Sequence, residues 1–257
     1  MVIITYFCVR LTTHVMWQKE RGILIGAVRH NDRTSVARIF TETHGMVPFI
    51  WFLSKSGKNA SRNTLLQPLT NLEFQADYVP TENLHHIKDA KNYLPYRNIP
   101  FNAHKSAIVL FLSEFLTHAL HDEQNNPGLY RFLTESLQWF DNAPDGTYAN
   151  FHIAFMIGTA RHIGIAPNAD EYTPGCILDL RDGCFTSVLP KHTDIITADL
   201  SYKLHLLMSS DYDGIKNAPL TGQERVMLLN ALNTFYRLHM PVFPALKSIE
   251  VLETVFG

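Results

Sequence analysis

The alternation of hydrophobic and polar positions changes period near residue 95. From Gly22 to about Tyr93, short runs rich in β-branched and aromatic residues dominate: "GILIGAVRH", "RTSVARIFT", "GMVPFIWFL", "LQPLTNLEF" and "NLHHIKDAKNY". Each has the length of a strand and is bounded by turn chemistry. An Asn-Asp turn joins the first two, Gly45 separates the second from the third, and the polar loop "SKSGKNASRN" separates the third from the fourth. Five short strands in about 70 residues predict a small barrel. An OB-fold and an SH3-like barrel both satisfy that count, which leaves the topology open.

"LPYRNIP", with Pro95 and Pro100, interrupts the pattern and reads as a linker over 95–101. Beyond it the spacing is helical. "NAHKSAIVLFLSEFLTHALH" has Asn102 as its N-cap, and "PGLYRFLTESLQWFD" carries Pro127 in its first turn. "YANFHIAFMIGTARHIGI" is apolar nearly all round and is expected to be the buried central helix. An irregular insert at about 166–190 contains "CILDLRDGCFTSV", a hairpin on an Asp-Gly turn. "DIITADLSYKLHLLMSS", "TGQERVMLLNALNTFYRLHM" and "ALKSIEVLETVF" return to helix, the second with Thr221 and Glu224 spaced as a capping box. The fold class is therefore α+β: a five-stranded barrel over 16–94, then a helical domain over 102–257 with a small β-hairpin insert.

The 257 residues are 46% hydrophobic and 18% charged, enough to build a core. No run of ~18 apolar residues occurs, so no membrane span is predicted. The opening "MVIITYFCVRLTTHV" lacks the basic start and small-residue cleavage site of a signal peptide. Residues 1–15 are expected to be a non-native or disordered leader, with Met16 the first residue of the barrel. Cys8, Cys176 and Cys184 make no disulfide framework and fit a reducing cytoplasm.

Charge is unevenly spread. Between Met16 and Thr70, eight basic residues (Lys19, Arg21, Arg29, Arg33, Arg38, Lys55, Lys58, Arg62) face three acids (Glu20, Asp32, Glu42), a net of +5. From Asn71 to Gly257 the net is −8, thirteen basic residues against twenty-one acidic, and Arg10 completes the total of −2. A basic module on an acidic body points to a polyanionic partner for the module.

Catalytic chemistry finds little footing. There is no G-x-S-x-G, P-loop, G-x-G-x-x-G or H-E-x-x-H. His118 and His121 have a metal-compatible spacing but no third ligand at a recognisable spacing, although Asp122 and Glu123 are adjacent, and Cys176 and Cys184 supply half a zinc site at most. A metal-dependent nuclease using the histidines is the weakest reading, and no metal, cofactor or small-molecule substrate is expected.

The barrel is different, because its cations recur beside aromatic residues. Phe49, Trp51 and Phe52 precede Lys55, Lys58 and Arg62. Cations neutralise phosphates and rings stack on bases, the two requirements of single-stranded nucleic-acid binding. Strand parity buries either Phe49 and Trp51 or Phe52, so Trp51 and Phe52 are both candidate stacking residues. Arg29, Arg33, Lys55, Lys58 and Arg62 are expected to be exposed DNA contacts. Arg38 is a weaker candidate because Val36 and Phe40 share its parity.

Three phrases then carry a resemblance. "DRTSVARIFTETHGMVPFI" resembles the "G-E-x-S-x-I-x-x-x-[FY]-T-x-x-x-G" opening of the RecO family of recombination mediators. "LLQPLTNLEF" resembles its fourth strand, and "FYRLHMPVFPALKSIEVL" its C-terminal signature. The resemblance runs from about Trp17 to Phe256 and is of the Bacteroidetes-like kind without the zinc cysteines. Many members carry two C-x-x-C pairs in the insert, and this chain does not, so zinc is not carried over. The resemblance implies an N-terminal OB-fold binding single- and double-stranded DNA, and annealing of complementary strands. It also implies engagement of the C-terminal tail of single-stranded DNA-binding protein (SSB) and of RecR, and indirect help in loading RecA. A cytoplasmic, nucleoid-associated DNA repair protein that is not an enzyme follows. For the SSB tail, Arg131 and Arg161 are candidates, as the basic residues of two otherwise apolar helices. The competing reading is an interaction adaptor whose barrel binds a protein and not DNA.

Overall fold

The computed structural model describes residues 17–53, 60–78 and 83–256. Strands β1 (Trp17–Arg29), β2 (Thr34–Thr41), β3 (Gly45–Phe52), β4 (Asn71–Asp77) and β5 (His85–Asn92) close into a barrel in the order β1-β2-β3-β5-β4. β3 and β5 pair in parallel, with Ile50 opposite His86, and β1 closes on β4 with Trp17 opposite Asp77. That order is the OB-fold, which resolves the choice the strand count left open. The leader expected over 1–15 lies outside the described residues.

Alternation along the strands separates two packing surfaces. Leu24, Ala37, Ile39, Phe49, Trp51 and Phe74 point inward and form the barrel core. Ile23, Ile25 and Phe40 take the opposite parity and join the core of the helical body, so this wall of the barrel is buried on both faces. Helix α1 (Ala103–Ala119) covers it, and Ser113 Oγ donates to the Ile25 carbonyl at 2.6 Å. The β2–β3 turn docks on the same body. Gly45 has φ +73°, a Cβ there would lie 2.4 Å from the Glu123 carbonyl oxygen, and Met46 N–H donates to that oxygen at 3.0 Å. Only glycine meets both the left-handed backbone and the close approach.

The helical body adds α2 (Pro127–Asn142), α3 (Phe151–His162), α4 (Ala198–Met208), α5 (Gly222–His239) and α6 (Ile249–Phe256). The caps are those the sequence predicts. Asn102 accepts from Lys105 N–H at 3.1 Å, Pro127 opens α2, and the Thr221–Glu224 box closes with bonds of 2.8 and 3.2 Å. α3 is buried along almost all its length. The connector predicted at 95–101 is fastened by the buried Asp141 carboxylate, which accepts from the amides of Arg97, Asn98 and Ile99 at 2.7 to 2.9 Å. Among the described residues no helix is long and apolar enough to cross a membrane.

The insert folds as the predicted hairpin, β6 (Ile177–Asp179) and β7 (Cys184–Thr186), and a third strand, β8 (Ile195–Ile196), pairs with β6. Its turn is held by the buried Asp179 carboxylate, which accepts from the amides of Arg181 and Asp182 and lies 3.2 Å from His192 Nε2. Cys176 and Cys184 are free thiols.

Candidate nucleic-acid interface

At the tip of β1–β2 the Asn31 side chain accepts from the amides of Arg33 and Thr34 at 2.8 and 2.9 Å, an Asx turn that lifts Arg29 and Arg33 into solvent. The two arginines differ in state. Arg29 is engaged by Asp32 at 3.0 Å, an exposed pair of little stabilising value, whereas Arg33 has no ion-pair partner among the described residues. Phe52 lies opposite Thr34 across the β2–β3 ladder, is 54% exposed, and lines a shallow concavity with Asn31, Asp32 and Arg33. The His86 ring stacks against it, centroids 6.4 Å apart and planes within 12°.

Several predicted contacts are placed elsewhere. Trp51 is 0% exposed, so its assignment as a stacking platform is corrected: Trp51 and Phe49 take the inward parity and Phe52 the outward one. Arg62 is half-buried, with its guanidinium 4.8 Å over the Trp51 ring and Nη2 donating to the Ile87 carbonyl at 3.0 Å. Burial lowers its pKa. Its expected exposure is corrected too, because a cation–π contact and a backbone acceptor draw it onto the barrel. Arg38 is half-buried and shares the parity of Phe40, facing the helical body, where its charge contributes to lowering the His118 pKa after the larger effect of burial. Lys55 and Lys58 lie outside the described residues.

On the helical body, Arg131 is exposed on α2. Arg161, at the end of α3, donates to the Met208 carbonyl at the end of α4. Neither lines the cavity of about 430 Å³ between α2 and the loop after α4, where Trp139, Pro144, Tyr212, Asp213 and Lys216 gather. Trp139 Nε1 donates to Asp213 at 3.0 Å there. His118 packs on Phe243, His121 pairs with Asp122, and among the described residues no three His, Cys, Asp or Glu side chains are placed to hold a metal.

A further cation cluster escaped the sequence reading. Lys19 and Arg21 on β1 and Lys91 on β5 converge on Glu73 of β4, at 3.1, 3.4 and 2.8 Å. Hydrogen bonds from Lys91 and Lys19 hold the Glu73 carboxyl down at about 2. Lys19 and Arg21 are counted in the module's +5 charge, but they precede Gly22, where the predicted first strand begins, whereas β1 starts at Trp17.

Two family models match the chain: "Recombination protein O N terminal" over residues 16–95 and "Recombination protein O C terminal" over residues 100–248. The DNA repair protein RecO of Phocaeicola vulgatus is 37% identical over 242 residues, covering 94% of this chain and 100% of that protein. The DNA repair protein RecO of Bacteroides fragilis is 38% identical over 242 residues with the same coverage. That of Flavobacterium psychrophilum is 30% identical over 241 residues, covering 93% and 99%.

Proposed function

The chain belongs to the recombination protein O (RecO) family of DNA repair proteins, and from that premise we propose that it is a non-enzymatic DNA-binding recombination mediator. In this reading it binds single- and double-stranded DNA through the barrel and anneals complementary strands. It also engages the SSB tail and RecR, and so helps RecA onto DNA. The observation that carries the barrel's part is the pairing of Arg33, a cation with no acidic partner among the described residues, with the exposed ring of Phe52. Annealing needs no covalent step. Neutralised phosphates let two strands approach, and backbones held at the barrel leave bases free to pair.

For the SSB tail, an apolar and acidic peptide, the α2 cavity offers aromatic walls in Trp139 and Tyr212 with Lys216 on its rim. Lys216 is therefore the first residue to test, ahead of Arg131 and Arg161.

One experiment addresses both surfaces: strand annealing on bare and on SSB-coated DNA. The R29A/R33A/F52A variant is expected to slow annealing about tenfold on both, equivalent to ~1.4 kcal/mol in the annealing barrier. K216A is expected to slow it only on SSB-coated DNA. Unchanged annealing by the triple variant on bare DNA would remove the barrel tip from the interface, and a wild-type chain that anneals no bare DNA would favour the protein-binding adaptor.

A further inference from the structure

β5 should not present both Lys88 and Lys91 on one face, because residues three apart in a regular strand point to opposite sides. A bulge changes this. Lys88 pairs with Gln75 and Lys91 with Glu73, so two residues, Asp89 and Ala90, stand opposite the single Phe74. Asp89 takes φ +52°, and Ala90 turns inward against the barrel core. Lys88 and Lys91 thereby share the outer face with Lys19 and Arg21, a re-aiming typical of bulges.

Aromatic rings are interleaved with these cations. Lys88 Nζ lies 4.0 Å above the Trp17 ring, and the Arg21 guanidinium 5.0 Å from the Tyr93 ring. The set continues to the barrel tip. His86, two residues before Lys88 on β5, is the residue stacked on Phe52. Crossing from β3 through β5 and β4 to β1 spans three strand spacings, about 14 Å.

The carboxylates of this face do not cancel it. Glu73 and Asp77 lie in the floor, their residues 8% and 6% exposed, and Glu42 stands at the edge. The Lys19 and Lys91 side chains above them are 71% and 67% exposed, so the outermost charge layer is positive. Asp89 is exposed and acts on Arg62.

We infer that the outer face of β5–β4–β1 is a second track for single-stranded nucleic acid, with Lys19, Lys88 and Lys91 on phosphates and Trp17 as a stacking ring. The inference rests on the DNA-binding reading above and extends it from the tip around the barrel. Unpaired bases are the chemistry that uses both components, since stacking on a ring requires an accessible base face.

The test measures oligo-dT affinity by fluorescence anisotropy over a range of salt. It compares the wild-type chain, the tip variant R29A/R33A/F52A and the track variant K19Q/K88Q/K91Q, each with its fold checked by circular dichroism. The track variant is expected to lose about tenfold or more at low salt, and its slope of log K on log salt to become shallower by about 2, at ~0.7 per phosphate. A second reading does not depend on that variant folding. Oligo-dT should quench tryptophan emission in the wild type, and W17F should abolish the quench, since Trp51 is buried and Trp139 lies on the helical body away from the track. An unchanged slope, or a quench that survives in W17F, overturns the track. If the tip variant alone loses affinity, DNA binding by the barrel stands without the track. If the wild-type chain fails to bind oligo-dT at low salt, the DNA-binding reading itself falls.

Discussion

The two halves of β1 share one strand and one outward parity, and they do opposite things. Before Gly22 the outward row is Trp17, Lys19 and Arg21, and it faces solvent beside β4 and β5. After Gly22 the row becomes Ile23 and Ile25, and it is sealed beneath the helical body. The strand changes partner there, with Trp17–Ile23 pairing to β4 and Gly22–Arg29 to β2, the latter across a bulge between Leu24 and Gly26. With that change the chemistry of the outward side chains divides the barrel's outside into a wall that binds the protein to itself and a cationic wall open to solvent.

The sharpest way to break this contrast is to remove apolar volume from the sealed wall. Phe40→Ala deletes a ring with no solvent exposure that packs into the helical core, and a cost of about 3–5 kcal/mol is expected in urea unfolding. Lys19→Gln on the open wall should stay within about 0.5 kcal/mol of the wild type. Similar costs for the two would mean that the walls are not divided as described.

A smaller effect sharpens the open wall. The Glu73 carboxyl is held at about 2 in the folded chain, below its ordinary 4.5, by hydrogen bonds from Lys91 and Lys19. A depressed carboxylate contributes stability that is complete above its unfolded value. That contribution is lost as pH falls from about 4.5 towards 2. Glu224, bonded to Lys203 and to the Thr221 amide, follows the same course, also at about 2. In acid titrations of stability, E73Q should therefore fall less steeply across this window than the wild type. It should also bind oligo-dT more tightly at neutral pH, having lost one floor charge. An identical acid slope would contradict the shared role of Glu73.

Much of the architecture was legible because it follows from short-range patterns. Strand alternation, Pro95 and Pro100, the Asn102 and Thr221 caps and the Asp-Gly turn of the insert each act within a few residues, and most elements appear where those signals lie, although β1 starts at Trp17, before the predicted Gly22, and β4 covers Asn71–Asp77, later than the predicted run from Leu66. Choices set by distant neighbours were not legible. Both parities of β3 carry aromatic residues, so only the closed barrel shows that Trp51 faces in and Phe52 out. Arg62 looks like a solvent-facing loop cation until the Trp51 ring is known to lie beneath it. Ile195–Ile196 is too short to announce itself, and pairs because β6 offers a free edge. The bulge at Asp89 is the most consequential case. Strict alternation places Lys88 and Lys91 on opposite faces, and the extra residue gathers them on one.

The central claim is that the barrel's open wall, and not the helical body, carries the nucleic acid. Lysine acetylation footprinting of the wild-type chain, with and without saturating oligo-dT, tests it most directly. Protection of Lys19, Lys88 and Lys91 is predicted, with Lys191, Lys216 and Lys247, exposed on the helical body, modified at unchanged rates. Protection confined to those three, with the barrel lysines unaffected, would contradict it.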